Sequence, residues 1–127
     1  MTDILFVEDD VNVRAAYADI LREAGFDVRE TGSAEAALEL IRQKVPDLVL
    51  LDISLGRGRM SGAELLARLR ESPAHRFIPV MIFSGLGDIV EPDVVQRLRV
   101  ADVLDKAGVS ADDLIRRIRT VVGDRDG

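Results

Sequence analysis

Acidic side chains follow two separate apolar runs of the chain. Glu8, Asp9 and Asp10 come directly after the first run. Asp52 comes directly after another, about forty residues later. Carboxylates brought together repel unless a cation intervenes, since two charges about 4 Å apart interact by roughly 4 kcal/mol at an effective dielectric constant near 20. Oxygen ligands favour a hard cation, and a few carboxylates with room for water suit Mg²⁺, with Mn²⁺ as a substitute.

A hydroxyl and an ammonium group follow two further apolar runs, at Ser84 and at Lys106. The chain has only two lysines against fifteen arginines, so a lysine at this place is informative. An aspartate beside a metal, a hydroxyl and a compact ammonium is suited to attack a phosphoryl group and to stabilise the charge on its oxygens. Asp52 is the predicted nucleophile. A plain salt bridge from Lys106 to Asp52 or Asp9 is the simpler alternative.

Two other residues that could do chemistry have plainer interpretations. Asp10 is predicted to provide a negative charge that complements the dipole at the start of a helix. His75 is expected to be a surface loop residue rather than a phosphorylation site. With no Cys and a single His, the chain offers no thiolate or histidine-based metal centre.

Short apolar segments alternate with amphipathic helical patterns along the sequence. Strands are predicted to begin near residues 4, 27, 48, 79 and 102, spacings that suit the crossover helices of a parallel sheet. The segment near residue 27 is polar enough for an edge strand, whereas those at 4, 48 and 79 read as interior strands. We therefore predict an α/β fold with a doubly wound five-stranded parallel sheet, order 2-1-3-4-5, and helices on both faces. Ligands in such sheets lie beyond the carboxyl ends of strands, at the point where the order reverses, here between strands 1 and 3. Helix starts are predicted at Ser33, Ser61, Glu91–Asp93 and Ser110.

Length and composition limit the classes of function. The 127 residues predict one domain, 1–127. A formal net charge of −6 argues against direct nucleic-acid binding and against an anionic membrane surface. No run approaches the roughly 20 apolar residues of a membrane span, the start does not look like a signal peptide, and a cytoplasmic location is expected. Glycine-rich phosphate-binding motifs are absent from the sequence, so it gives no support for nucleotide binding.

Four segments together resemble the receiver domains of response regulators (CheY-like) in bacterial two-component signalling. They are ILFVEDD ending at Asp10, LVLLD ending at Asp52, PVMIFSG around Ser84 and DVLDK ending at Lys106. The resemblance implies a flavodoxin-like fold in which Asp52 takes a phosphoryl group from the phosphohistidine of a histidine kinase or histidine phosphotransfer protein.

The resemblance also implies a role for each site residue. Asp9 and Asp52 would ligate Mg²⁺, Glu8 would help directly or through water, and Ser54 would offer its backbone carbonyl. Ser84 would hydrogen-bond the phosphoryl group and Lys106 would form an ion pair with it. The added charge would bias a two-state equilibrium in the loop and helix after strand 4. A monomer or weak dimer is expected.

The sequence departs from this family at three places. Ala107 stands where a proline is usual, so we expect a trans peptide bond there, because a cis bond costs about 2.5–4 kcal/mol for other residues. Val103 replaces an aromatic that changes rotamer on activation in the family. The segment after Asp52 is about two residues longer than usual, and we hypothesise that Arg57 and Arg59 there tune access to Asp52 or contact a partner.

These departures leave an alternative function open: a degenerate receiver that acts as a phosphorylation-independent interaction module. A third class, a metal-dependent phosphatase with an aspartyl intermediate, is weaker. Such enzymes usually place the nucleophile after strand 1 and add a cap, for which the chain leaves little space.

Overall fold

The computed structural model describes residues 1–55, 60–85 and 90–123. In this part of the chain, strands and helices alternate throughout. The strands are β1 Asp3–Val7, β2 Asp27–Thr31, β3 Leu48–Asp52, β4 Val80–Ser84 and β5 Asp102–Asp105. The helices are α1 Val11–Glu23, α2 Ala34–Gln43, α3 Gly62–Glu71, α4 Pro92–Arg97 and α5 Ala111–Val122.

The five strands form one parallel sheet in the order β2-β1-β3-β4-β5. This confirms the predicted doubly wound sheet and the position of the reversal between β1 and β3. Every residue of β1 and β3 is buried, whereas no residue of β2 is fully buried, as expected for interior and edge strands.

Apolar side chains cover both faces of the sheet. One buried cluster joins α2 and α3 to the side chains of β1, β3 and β4 that point to one face, including Leu5, Leu51 and Ile82. The other joins α1 and α5 to those that point to the opposite face, including Phe6, Leu50 and Phe83. Because successive side chains of a strand point to opposite faces, continuous apolar strands supply both clusters.

Hydroxyl side chains begin three of the helices, as the sequence predicts. Ser33 accepts a hydrogen bond from Ala36 N, Ser61 from Glu64 N, and Ser110 from Asp113 N. Each bond satisfies an amide that a helix start leaves without a partner. The start of α4 also falls at its predicted place, with Pro92 in the first turn.

The predicted and observed strand bounds differ by one residue in places. β4 begins at Val80 rather than Pro79, because proline has no N–H to contribute; the Pro79 carbonyl still accepts from Val49 N at 2.9 Å. The longest helix in the described ranges is α1, with 13 residues, and no helix there has the length and apolar character that crossing a bilayer requires.

Candidate functional site

Three acidic residues converge at the carboxyl ends of two neighbouring strands. Glu8 follows β1, Asp52 ends β3, and Val7 and Leu51 pair in the sheet between them. Carboxylate oxygens of Glu8, Asp9 and Asp52 all lie within 4.8 Å of one another. We call these three residues the acidic cluster. The sequence predicted this meeting, since carboxyl ends of parallel strands share one edge of the sheet.

Asp10 does not join the acidic cluster but caps α1. Its carboxylate accepts hydrogen bonds from Asn12 N at 2.9 Å and Val13 N at 3.1 Å. Its interpretation as a helix-terminal charge therefore agrees with the structure, and two adjacent aspartates have different surroundings.

Lys106 supplies the positive charge beside the acidic cluster. Its Nζ lies 2.6 Å from Glu8 Oε1 and 3.3 Å from Asp52 Oδ2. The backbone of Lys106 is fixed to β4 by a hydrogen bond from its N–H to the Ser84 carbonyl at 2.8 Å, and its ammonium lies 5.6 Å from the centre of the Phe83 ring. The sequence predicted contact with Asp52 but missed Glu8 as the nearer partner.

Burial makes the acidic cluster electrostatically unusual. Glu8 and Asp52 are each 1% exposed. Burial raises the pKa of Glu8 to about 7, and the adjacent Asp52 acts in the same direction, while Lys106 opposes both. Glu8 is therefore the member of the pair that holds a proton near neutral pH.

Asp52 behaves in the opposite way to Glu8. Burial alone would raise the pKa of Asp52, but contacts with Glu8 and Ser54 and the charge of Lys106 lower it below its usual value. Burial also opposes the charge of Lys106, yet contact with Glu8 and Asp52 raises its pKa. The site at neutral pH thus presents an ionised aspartate next to a charged lysine.

The acidic cluster has the chemistry of a site for a hard divalent cation. Its three residues offer oxygen ligands, and among the described residues the ammonium of Lys106 contacts two of them, Glu8 and Asp52. The buried Glu8 Oε1 is paired with the Lys106 ammonium at 2.6 Å. One ammonium does not neutralise three acidic residues, and a divalent cation would offset the remaining repulsion between them. The residues present therefore fit Mg²⁺.

Ser54 orients the carboxylate of Asp52. Its N–H and its hydroxyl both donate to Asp52 Oδ1, at 3.0 Å and 2.8 Å. These bonds hold Oδ1 and leave Oδ2 facing Lys106. The predicted ligand from Ser54 was its backbone carbonyl, which these contacts do not test, so that role stays a prediction.

Ser84 lies at the end of β4, next along the sheet from β3. Its half-buried hydroxyl donates to the Leu104 carbonyl at 3.2 Å and so links β4 to β5. Its predicted hydrogen bond to a phosphoryl group stays a prediction and requires this hydroxyl to turn away from Leu104.

Gly62 is a positioning residue that the sequence reasoning missed. A Cβ at this first residue of α3 would lie 2.9 Å from the backbone oxygen of Asp52 and 3.3 Å from Ile53. The start of α3 therefore rests directly on the chain that leaves the nucleophile. A glycine at the first turn of a helix, ten residues after a candidate nucleophile, is the signal that could have indicated it.

Arg14 is a second contact that the sequence reasoning missed. Its Nη1 donates to the backbone carbonyl of Glu8 at 2.8 Å, and its Nε lies 3.7 Å from Glu30. Gly32 leaves the necessary room, since a Cβ there would come within 2.7 Å of Nη1. Arg14 thereby fixes the backbone of a candidate metal ligand.

Of the three departures from the receiver pattern, the structure describes those at Ala107 and Val103. The described residues contain no cis peptide bond, so the bond before Ala107 is trans, as expected, and Ala107 N donates to Asp105 Oδ1 at 2.9 Å. Val103 is half-buried and packs on the α2–α3 side of the core. Arg57 and Arg59 lie outside the described residues, so the hypothesis about them stays open.

Comparison with known proteins identifies the family. The family model for the response regulator receiver domain matches residues 4–119. The chain belongs to this family. Receiver domains of response regulators are signalling domains of two-component systems that receive phosphoryl groups from histidine kinases and bind Mg²⁺ at an acidic pocket.

Individual proteins with similar sequences include two bacterial regulatory proteins. The nitrogen assimilation regulatory protein NtrX of Azorhizobium caulinodans is 37% identical over 87 residues, covering 68% of this chain and 19% of that protein. The phosphate regulon transcriptional regulatory protein PhoB of Escherichia coli is 32% identical over 120 residues, covering 94% of this chain and 51% of that protein. This receiver chain thus spans about half or less of the length of these curated relatives.

Solved structures show the same fold. The receiver domain of NtrX from Brucella abortus has a TM-score of 0.85 and 34% identity, covering 95% of this chain and 98% of that one. A structure described as a putative response regulator from Chloroflexus aurantiacus has a TM-score of 0.86 and 28% identity, with 96% and 98% coverage. The five-stranded receiver fold is therefore shared over nearly the whole chain.

Proposed function

We propose that this receiver takes a phosphoryl group on Asp52 from the phosphohistidine of a histidine kinase or histidine phosphotransfer protein, in a Mg²⁺-dependent reaction. One observation carries the proposal: the buried, ionised carboxylate of Asp52 lies 3.3 Å from Lys106 and within 4.8 Å of two further carboxyl groups. Burying such a group is costly, and a structural role would not need three acids at one place.

The two oxygens of Asp52 have different surroundings that suit nucleophilic attack. Two hydrogen bonds from Ser54 hold Oδ1 and fix the plane of the carboxylate. In the transfer, an Asp52 oxygen forms a bond to phosphorus while the phosphorus–nitrogen bond to the imidazole breaks, and the imidazole nitrogen keeps that electron pair. Lys106 lies where its ammonium can offset the charge of the phosphoryl oxygens.

The remaining assignments belong to this proposal. The residues that would hold Mg²⁺, or Mn²⁺ as a substitute, are Glu8, Asp9, Asp52 and Ser54, the last through its backbone carbonyl. When bound, the metal neutralises charge on the carboxylates and on the phosphoryl oxygens. The Ser84 hydroxyl leaves Leu104 to bind the phosphoryl group.

The consequence of phosphorylation is a change in partner binding. The acyl phosphate carries roughly −1.5 to −2 charges at neutral pH in place of the single negative charge of ionised Asp52, and this extra charge shifts an equilibrium between two conformations. We propose that residues 1–127 act as one receiver unit, in the cytoplasm, as a monomer or weak dimer.

Incubation with Mg²⁺ and acetyl phosphate tests the proposal. Intact-mass spectrometry is expected to find one added phosphoryl group, absent in Asp52→Asn and in the presence of EDTA. Asp10→Asn is the matched control, because Asp10 is a neighbouring acid that caps α1. This variant is expected to be phosphorylated like the wild type.

The degenerate receiver is the second candidate. It is favoured by the hydrogen bond from the Ser84 hydroxyl to the Leu104 carbonyl and by the close pairing of Lys106 with Glu8. Absence of any adduct on wild-type protein that binds Mg²⁺ would support this candidate over phosphotransfer.

A further inference from the structure

An exposed aromatic ring lies near the amino-terminal ends of the strands, whereas the acidic cluster lies at their carboxyl ends. Phe77 is 72% exposed in the connection between α3 and β4, and Val45, just before β3, is 49% exposed. Single exposed apolar residues are ordinary, but these two line one cavity of about 230 Å³. The other residues that line it are Pro46, Asp47, Ala74, Ile78 and Pro79.

Two guanidinium groups flank the exposed ring. The Arg76 guanidinium carbon lies 4.8 Å from the centre of the Phe77 ring, and that of Arg99 lies 5.9 Å away. Neither side chain forms an ion pair with an acid among residues 1–55, 60–85 and 90–123. We call Arg76, Phe77, Arg99 and the adjoining cavity the Phe77 patch. It combines apolar surface with two guanidinium groups on a chain of net charge −6. Arg99 Nη2 donates to the Arg76 carbonyl at 3.3 Å, and the acid that lines the cavity, Asp47, accepts a hydrogen bond from Asp3 N at 2.8 Å.

A half-buried arginine, Arg70, holds the Phe77 patch in place. Arg70 donates to four backbone carbonyls: Leu98 at 2.7 Å, Arg76 at 3.1 Å, Ile78 at 2.8 Å and Arg99 at 3.2 Å. Two of these carbonyls belong to the loop that carries Phe77 and two to the loop that carries Arg99. The two loops are therefore fixed relative to each other before any partner arrives, which lowers the ordering cost of binding.

The backbone of Arg99 is strained. Its φ is +53°, in the left-handed region that residues other than glycine rarely occupy. An arginine there costs stability that a glycine or asparagine would recover. Glycine or asparagine would complete the turn at lower cost, but neither would place a positive charge beside Phe77.

We propose that the Phe77 patch binds an acidic peptide segment of a partner protein. One apolar side chain of the segment enters the cavity beside Phe77, and flanking carboxylates pair with Arg76 and Arg99. Carboxylates suit this geometry because guanidinium binds them through two parallel hydrogen bonds. Nucleic acid fits less well, since its binding neutralises a series of phosphates and the overall charge is negative.

This binding is independent of the phosphoryl chemistry. The cavity and Phe77 lie before β3 and β4, and Arg99 lies before β5, whereas Asp52 and Ser84 end β3 and β4. The patch therefore remains accessible when the phosphorylation site is engaged, and Asp52→Asn is expected to leave its affinity unchanged. Failure of phosphorylation and failure of peptide binding would be separate results.

Titration of ¹⁵N-labelled protein with the capped pentapeptide Asp-Asp-Leu-Asp-Asp tests the proposal by NMR. Saturable shifts are expected at residues 74–79 and 97–100. Arg76→Glu is expected to weaken the affinity at least about tenfold, whereas Arg116→Glu, an exposed arginine on the opposite side of the sheet, leaves it unchanged. Arg99→Asn tests the second guanidinium while keeping a residue that tolerates the left-handed backbone.

Three results would overturn the proposal. The first is the absence of saturable shifts in the Phe77 patch of folded wild-type protein. The second is equal binding of the charge-reversed peptide Lys-Lys-Leu-Lys-Lys. The third is tighter binding of a ten-residue thymidine oligonucleotide, which would assign the surface to single-stranded nucleic acid instead.

Discussion

Lys106 is closer to Glu8 than to the candidate nucleophile: its Nζ lies 2.6 Å from Glu8 Oε1 and 3.3 Å from Asp52 Oδ2. One ammonium thus serves two buried carboxyl groups. A cation that binds the acidic cluster would compete with Lys106 for Glu8 and release the ammonium toward Asp52. Metal binding and the placement of the lysine would therefore be coupled through the Glu8 carboxylate.

Lys106→Met is expected to slow phosphorylation by acetyl phosphate at least about tenfold, because the phosphoryl oxygens lose a fixed positive charge. The rate is measured by intact-mass spectrometry over time at saturating Mg²⁺. Lys44→Met is the matched control, since Lys44 is the other lysine of the chain and its side chain is 71% exposed. Equal rates for both variants and the wild type would contradict the role of Lys106.

Mg²⁺ is expected to stabilise the folded protein through the acidic cluster. At a concentration tenfold above its dissociation constant, the free energy of unfolding rises by about 1.4 kcal/mol, measured by urea denaturation. Asp9→Asn is expected to lose most of this gain. Asp10→Asn should retain it, because asparagine also caps helices and Asp10 lies outside the acidic cluster. A gain of the same size in Asp9→Asn would place the metal elsewhere.

The raised pKa of Glu8 predicts a pH dependence of the metal-free protein. The folded state binds a proton at Glu8 up to about pH 7, whereas the unfolded chain releases it near its usual pKa of 4.5. The contribution of Glu8 to stability is therefore complete below pH 4.5 and is lost as the pH rises through about 7.

Glu8→Gln removes this titration. The stability of the wild type relative to Glu8→Gln, measured by urea denaturation in EDTA, is expected to fall as the pH rises from 4.5 to about 7. The exposed Glu23→Gln serves as the control and should track the wild type. A difference between wild type and Glu8→Gln that is constant with pH would contradict the shift.

Gly62→Ala is expected to destabilise the protein by about 1–3 kcal/mol and to slow phosphorylation, because its methyl group would press on the backbone of Asp52. Gly108→Ala is the matched control, since the nearest atom to its new Cβ is an Asp105 side-chain oxygen at 3.8 Å. Urea denaturation and the acetyl phosphate reaction measure the two effects. If Gly62→Ala had the stability and the phosphorylation rate of the wild type, α3 would have to move without cost, which would contradict the prediction.

Local patterns were enough to predict the fold. The polar strand at Asp27–Thr31 marked the edge of the sheet, and the apolar strands marked its interior. The order of the sheet followed from these characters together with crossover geometry. Ser33, Ser61 and Ser110 cap helices as predicted, because an N-cap depends on residues only three positions apart.

The sequence was enough to predict which residues form the site, but not which of them contact one another. Strand ends and residue types indicated that Glu8, Asp9, Asp52 and Lys106 would meet. Which carboxylate lies nearer to Lys106 depends on side-chain conformations that sequence spacing does not encode. The close approach of Gly62 to Asp52 and the four carbonyls bound by Arg70 likewise depend on how loops pack against one another.

Because the strands are parallel, the Phe77 patch and Asp52 lie at opposite ends of the sheet. Each interior strand has five residues, so its ends lie roughly 17 Å apart. An anchoring protein that held the Phe77 end would leave the Asp52 end open to diffusing kinases. Tethering of this kind would raise the local concentration of the receiver near its signal source while each phosphorylation cycle ran to completion.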